Sequence, residues 1–447
     1  MKARRQRRIW VIIGSVGFAA VIAIQFVRPE INHPPVTAEL TAPPEVKQVL
    51  RASCYDCHSN ETRLAWFDEI VPAYWLAASD VKAGRRKLNF SEIGTLPGAQ
   101  QKAALYESVN QILLGAMPLP AYTRLHRGTV IGPSELALLK NYLNPAGTAG
   151  VTPASDLAAD DTQYKKWIEK VDTPLAVAPA ANGVEFLADY KNWKAISSTD
   201  RLDNQTMRVI LGNDTAIKAI AEKRTNPWPD GSSFAKVAWL QRDTGQGRVR
   251  AGAFVQVEFM IRDSQKFAGT KGWGWARWRG AGLAPYGKDA TFTEECIGCH
   301  TPLRKSDYVF TIPLSRQFEG SLPWNPLQGS VITSSVDRQS STMSTLYGND
   351  VSVQHSRTNS NSDYPPGSAL SLVTWTQRED PRWFGANIPG QVKSVEFVNV
   401  TAGDNGQPSY AYESYTGSPL KRTLSEGDRS SGSRAAYLLS LRASVMP

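Results

Sequence analysis

The first apolar feature of the chain is unbroken. Ile9–Val27 contains no charged residue, follows the basic run Met1–Arg8, and is closed by Arg28 and Pro29. About 19 apolar residues reach across a bilayer core as a helix, and a basic flank marks the cytoplasmic side. The pattern therefore predicts a basic tail and transmembrane anchor over residues 1–30, with the bulk of the chain on the periplasmic side of a bacterial inner membrane. A cleaved export signal is the competing reading. A proline-rich spacer, Ile31–Pro44, comes next. From Glu45 to Leu143 the apolar residues recur at helical spacing in short pieces such as Val46–Ala52 and Leu105–Leu114, which predicts an all-α domain over residues 37–147. Asn144–Asp161 is rich in Ala, Gly, Thr and Pro and reads as a linker.

Beyond about residue 175 the period changes to two. Strands are predicted at Phe234–Gln241, Arg248–Ile261 and Trp273–Arg279, with a helix over Asp214–Lys223 and turn signals such as Asn405-Gly406 further on. This half repeats itself. Displaced by 136 positions, Ile196, Ser198, Thr206, Met207, Gly212-Asn213-Asp214, Pro229, Gly231-Ser232, Val237, Trp239 and Gln241-Arg242 recur. Their copies are Ile332, Ser334, Thr342, Met343, Gly348-Asn349-Asp350, Pro365, Gly367-Ser368, Val373, Trp375 and Gln377-Arg378. Val257-Glu258-Phe259 recurs as Val395-Glu396-Phe397. The expected architecture is multidomain α+β: the anchor, the helical domain, then two tandem β-rich units over residues 175–318 and 320–447.

Length and charge refine this only slightly. The chain has 447 residues and a formal charge of +9, but residues 1–30 alone carry six basic residues against Glu30. The charge reports topology rather than affinity for nucleic acid, which is not an expected partner.

The four cysteines carry the chemistry. Cys54-Tyr55-Asp56-Cys57-His58 and Cys296-Ile297-Gly298-Cys299-His300 both read Cys-x-x-Cys-His, the attachment signature of c-type haem. Two intervening residues let both thiols reach the vinyl groups on one side of a porphyrin, and the next residue sets an imidazole under the iron. The pattern predicts two covalent haems, with His58 and His300 as metal ligands. A structural zinc site, a redox disulfide and local disulfides are the alternatives; a four-cysteine zinc module spaces its pairs by about 15–20 residues, whereas 238 separate these. For the first iron, Met117, in the loop Met117-Pro118-Leu119-Pro120 after a helix, is the expected second ligand, which would suit electron transfer; His126 is its rival, and a core role for Met117 is the bland alternative. No methionine follows His300 before Met343, so the second iron is expected to keep an open position for a small molecule.

Lys236 is the other candidate. Strand alternation sets it on one face with Phe234, Ala238 and Leu240, and the haem-free copy has Leu372 in its place. A desolvated lysine loses basicity and becomes a nucleophile; the alternative is an amine that snorkels to the sheet edge. Trp273, Trp275 and Trp278 either wall a haem pocket or fill the sheet core. His355, in the haem-free copy, reads as a surface or core residue.

Two resemblances add to this. The stretch Arg51-Ala52-Ser53-Cys54 to Asn60-Glu61-Thr62-Arg63, then Trp66, resembles the small haem-binding domain of bacterial exported proteins, over residues 40–145. Pro229-Asp230-Gly231-Ser232-Ser233-Phe234-Ala235-Lys236, Gly272-Trp273-Gly274-Trp275, the second haem motif and Asp307-Tyr308-Val309-Phe310-Thr311 together resemble the cytochrome P-460 family, which includes the cytochromes c′-β, over residues 180–315. That resemblance implies a β-rich fold and a haem cross-linked to a lysine, here Lys236. It also implies oxidation of hydroxylamine in the enzymatic members. Those members hold a distal carboxylate between the Trp-Gly element and the haem motif. Here Trp273–Tyr286 has none, and carries Arg277 and Arg279. The expected function is a dihaem oxidoreductase that acts on a small nitrogen compound at the second haem and relays electrons through the first to an exported carrier protein. A nitric oxide or diatomic-gas binding protein and a plain electron conduit stand beside it.

Overall fold

The computed structural model describes residues 2–143, 152–169, 176–403, 408–423 and 428–447. The turn expected at Asn405-Gly406 lies outside them. The chain divides into two compact units, Met1–Asn144 and Pro145–Pro447.

The first unit is helical: α1 (Lys2–Ile24), α2 (Pro44–Ser53), α3 (Tyr55–His58), α4 (Ala73–Lys87), α5 (Gly98–Leu113), α6 (Pro120–Leu125) and α7 (Pro133–Leu143). Proline opens α2, α6 and α7, where its missing N–H is no loss. α2 buries Val46 and Leu50. α5 buries Leu105, Tyr106 and Val109, and the Tyr106 hydroxyl donates to Leu143 O at 2.7 Å, tying α5 to α7.

The transmembrane expectation does not hold. α1 stops at Ile24, so its helical part is shorter than the apolar run and its first turns are basic. Among the described residues no helix is long and apolar enough to cross a membrane. A single-pass inner-membrane location is thus unsupported. The chain just past α1 is tied down locally: Gln25 Nε2 donates to Val71 O at 3.1 Å, and Gln25 Oε1 accepts from Val71 N at 2.9 Å.

The second unit opens with α8 (Ala154–Glu169), which replaces part of the expected linker. Then come β1 (Lys194–Arg201), β2 (Thr206–Gly212), α9 (Asp214–Ala221), β3 (Ser233–Asp243), β4 (Arg248–Arg262), β5 (Trp273–Arg279), β6 (Ala284–Pro285) and α10 (Thr293–His300). After α10 the order recurs: β7 (Ser330–Asp337), β8 (Thr342–Gly348), α11 (Asp350–Thr358), β9 (Ala369–Glu379), β10 (Ala386–Ala402), β11 (Pro408–Thr416), β12 (Lys421–Thr423) and α12 (Asp428–Ser440).

The recurring residues explain themselves locally. Asn213 accepts from Ala216 N at 3.0 Å and so caps α9, and its amide donates to Gly231 O at 2.8 Å. Asn349 does the same for Ser352 N and Gly367 O, at 3.0 and 2.8 Å. Gly231 and Gly367 take φ of +85° and +90°, which favours glycine.

The two copies are not tandem units, contrary to the sequence expectation. β1-β2-β3-β4 continues into β7-β8-β9-β10, and β10 pairs back to β1 through Asp200↔Asn387 and Arg201↔Ala386. The join at β4–β7, Arg248↔Asp337 to Arg250↔Ser335, is its counterpart. The result is one closed barrel of eight strands, four from each copy, with β5, β6, β11 and β12 added outside the circuit. Closure removes the open edges that each four-stranded half would expose. Strand alternation then sorts side chains into two layers. Val209, Val237, Trp239, Val257, Trp278, Val373, Trp375, Val395 and Phe397 fill the interior, which the C-terminal Val445 and Met446 join. The alternate residues face outward beneath each copy's own helices. Ile210, Phe234, Trp273 and Trp275 pack with Cys296 and Ile297 of α10; Leu346, Leu370 and Leu372 pack with Ala435 and Leu438 of α12.

Candidate haem sites

The first motif lies at the turn between α2 and α3. Against it packs Gly84 of α4, where a Cβ would come within 2.5 Å of Cys57 O. Burial pushes the Cys54 and Cys57 thiols up to about 12, helped for Cys54 by Cys57 and for Cys57 by Asp80. His58 Nδ1 lies 3.0 Å from Leu88 O. A carbonyl only accepts, so Nδ1 carries the proton and Nε2 keeps its lone pair for a metal. Tyr55 stacks on Phe90 at 5.4 Å, and Arg85 Nε donates to Ser59 O at 2.7 Å, fixing the segment from both sides.

Met117 follows α5, with its N–H donating to Gln111 O at 3.1 Å, and the residue is 36% exposed. The Met-Pro turn leads into α6, whose Tyr122 hydroxyl donates to Asp56 Oδ2 at 3.0 Å. The loop is thereby attached to the Cys-x-x-Cys segment. His126 is differently placed: Nε2 is 2.7 Å from Asp68 Oδ2 and Nδ1 is 3.0 Å from Tyr122 O. Both ring nitrogens are engaged, which disfavours it as the rival ligand.

The second motif forms the end of α10. His300 Nδ1 donates to Tyr308 O at 2.6 Å, again leaving Nε2 with the lone pair. Tyr308 and Asp307 have φ of +66° and +49°. Consecutive non-glycine residues in this region are strained and persist only when their surroundings over-determine them. Here they do: Asp307 Oδ2 accepts from Trp228 N at 2.9 Å and lies 3.7 Å from Arg262 Nε. The imidazole is clamped between Trp275 at 4.5 Å and Phe310 at 4.8 Å. Burial lowers the His300 pKa to about 4. Trp273 lies in the same layer, whereas Trp278 is barrel core.

At both sites the chain offers two thiols one helical turn apart and an imidazole whose Nδ1 is spoken for. The four cysteines form no disulfide, and among the described residues no group of three or more His, Cys, Asp or Glu is arranged to hold a metal ion. These residues fit a c-type haem and not a zinc cluster.

Lys236 lies on the outer face of β3, in a cross-strand row: Ile210, Lys236, Glu258, Arg277. This face points away from the barrel interior and lies beneath the covering helices. Lys236 Nζ is 2.6 Å from Glu258 Oε2, and Arg277 Nε is 3.4 Å from Oε1. Gln256 also donates to that carboxylate. Burial would raise the Glu258 pKa, but the Lys236, Arg277 and Arg208 charges hold it at about 2. Burial lowers the Lys236 pKa, with Glu258 opposing and Arg208 adding to the fall. Both charges act on Cys296 and His300.

Glu258 was missed in the sequence because the carboxylate was sought after the Trp-Gly element. It stands one strand earlier, and only the register β3–β4–β5 brings it beside Lys236. Arg382 and Trp383, from the haem-free copy, were also missed: Arg382 Nη1 donates to Val309 O and Phe310 O at 2.9 and 3.0 Å, and Trp383 packs on Phe310 at 5.5 Å. His355, on α11, packs against Tyr364 at 4.5 Å.

Residues 19–145 match the family model of a haem-binding domain, and residues 187–311 match that of cytochrome P460. The order is the one read from the sequence. No curated protein matches the chain.

Proposed function

We propose that this haem protein is a dihaem c-type cytochrome oxidoreductase. Cys54 and Cys57 would hold one haem, with His58 and Met117 as the residues offered to its iron; Cys296 and Cys299 would hold the other, with His300 as the residue offered to its iron. The haem at His300 would supply one-electron chemistry and an open coordination position. The site would take a small nitrogen compound of the hydroxylamine class. Glu258 accepts a proton from its N–H or O–H, while Lys236 and Arg277 hold the carboxylate in place. The haem that Cys54 and Cys57 would hold would supply the electron-transfer chemistry toward an electron-carrier protein. Lys236 is the candidate for a bond to the porphyrin edge.

One contrast carries this reading. Both copies place a glutamate at the same strand position. In the haem-free copy the Glu396 side chain is 7% exposed and sealed by a bidentate pair with Arg434, at 2.6 and 2.8 Å, and by the Tyr412 hydroxyl at 2.6 Å. In the cysteine-bearing copy the Glu258 and Lys236 side chains are 18% and 31% exposed. That copy leaves the carboxylate more exposed and matches it with a single lysine, a looser arginine and the Gln256 amide. A structural carboxylate has no need of the difference; a proton acceptor does.

A second reading has its own observation. A carboxylate held at about 2 is a weak base, and an ion-paired lysine is not a nucleophile, which favours a site that binds nitric oxide or another diatomic gas without turnover. Absorption spectra and turnover with hydroxylamine distinguish the two. Turnover by the wild type that falls at least about tenfold in Glu258→Gln, with haem content unchanged, supports the oxidoreductase. No wild-type turnover, with nitric oxide bound normally by both proteins, replaces it with the gas-binding reading. A peptide map of the haem-bearing fragment shows whether Lys236 is bonded.

A further inference from the structure

The axial histidine of the second site is held by the copy that has no cysteines. Between β9 and β10, Arg382 donates Nη1 to both Val309 O and Phe310 O, at 2.9 and 3.0 Å. Those carbonyls immediately follow Tyr308, whose own carbonyl accepts the His300 Nδ1–H at 2.6 Å. Trp383 packs edge-on against Phe310 at 5.5 Å, and Phe310 packs edge-on against His300 at 4.8 Å. Trp383 is in turn fixed: the Arg201 guanidinium lies 4.3 Å over its ring, and its Nε1 donates to Asp203 Oδ2 at 3.3 Å. Arg201 and Asp203 pair with each other, Nε to Oδ1 at 2.7 Å.

We propose that Arg382 and Trp383 are positioning residues for His300, and that the haem-free copy sets the electronic state of the second haem through them. The inference rests on His300 being an axial ligand. The strained pair Asp307–Tyr308 aims the Tyr308 carbonyl at Nδ1, and a strained backbone relaxes unless it is held. Asp307 is held from the first copy by Trp228 and Arg262. The other end of the segment is held from the second copy by Arg382. A short Nδ1–H···O bond gives the imidazole anionic character and strengthens its bond to iron, which favours the oxidised state. Loosening the carbonyl weakens that bond. The arrangement also explains why the closed barrel serves the site. β1 and β10 pair at Arg201↔Ala386, so barrel closure is what brings the β9–β10 turn beside residues 308–310.

The test uses the full-length haem-loaded protein with three variants: Arg382→Gln, Trp383→Leu and the conservative Trp383→Phe. The readouts are the iron–histidine stretching frequency of the reduced second haem and its reduction potential. Arg382→Gln and Trp383→Leu should lower the frequency and raise the potential, by an amount corresponding to on the order of a tenfold change in the oxidation equilibrium. Trp383→Phe should restore both. The first haem serves as internal reference and should not move. If frequency and potential stay at wild-type values in all three variants, the turn is packing only and the proposal is wrong. Should Arg382→Gln not fold, the Trp383 pair decides alone. Haem retained on the second motif with no histidine stretch in the wild type would sink the axial assignment of His300 instead, a separate outcome from an unmoved frequency.

Discussion

Lys236 and Glu258 form an ion pair across β3 and β4, and its pH dependence has a definite sign. The folded pKa of Glu258 is about 2, below its ordinary 4.5. The stability it contributes is therefore present above about 4.5 and lost as pH falls through about 2. Lys236 is lowered from its ordinary 10.5, so it gives up its proton in the folded state first, and stability rises with pH across that interval as well. Glu258→Gln should cost about 1–3 kcal/mol near neutral pH, because two cations lose a charged partner. The deficit should shrink as pH falls below about 4.5. Denaturant melts of both proteins between pH 2 and pH 7 check this; a deficit independent of pH would mean that the fold does not depress the carboxyl pKa and the ion pair contributes nothing. Met117 carries a second residue-scale expectation. Met117→Ala should abolish sulfur-to-iron absorption at the first haem and lower its potential, whereas His126→Ala should not, since both nitrogens of His126 are already engaged. The reverse outcome in the two spectra would transfer the ligand role to His126. The two Cys-x-x-Cys-His segments are legible in the sequence because spacing alone defines them. Glu258 was not legible, since its neighbour in space is 22 positions away and register is a tertiary fact.

The helices and strands that bear the haem motifs are positioned by close backbone contacts, and these set the next expectation. α4 lies against the first motif at Gly84, where only a hydrogen fits beside the Cys57 carbonyl. Gly84→Ala would put a methyl 2.5 Å from that oxygen. One of the two segments must shift, at a cost of about 1–3 kcal/mol, and the His58–Leu88 hydrogen bond lies on the same helix–loop junction. Thermal melts together with the absorption of the first haem should show lowered stability and a perturbed spectrum. Unchanged values for both would mean that α4 does not locate the motif. Period and spacing foretold most of these elements. β4 and β5 begin and β5 ends where alternation placed them, and α9 starts at the Asp214 that Asn213 caps. Two elements were misjudged for physical reasons. The Ala-rich stretch after residue 153 forms α8 because Asp160 accepts from Arg242 Nε at 2.6 Å and from Ala253 N at 3.1 Å, tertiary partners that composition cannot reveal. The apolar run after Arg8 remains helical only to Ile24, and among the described residues no helix is long and apolar enough to cross a membrane.

At the scale of the molecule, the repeat was visible in the sequence but its consequence was not. Fourteen recurring residues predicted two β-rich units; they build one barrel, because each half presents two unpaired edges and the halves satisfy one another. This is why the haem-free copy reaches the haem site without a ligand of its own. The helical unit and the barrel unit are each internally complete, and each has a single Cys-x-x-Cys-His segment with its Nδ1 proton directed to a backbone carbonyl. The central claim is that each segment carries one covalent haem. The most direct measurement is the intact mass of the wild type beside two paired variants, Cys54→Ala with Cys57→Ala, and Cys296→Ala with Cys299→Ala. The predicted mass is two haems above the polypeptide for the wild type, and one haem above it for each paired variant. A wild type carrying a single haem or none, or a paired variant that keeps both, would contradict it.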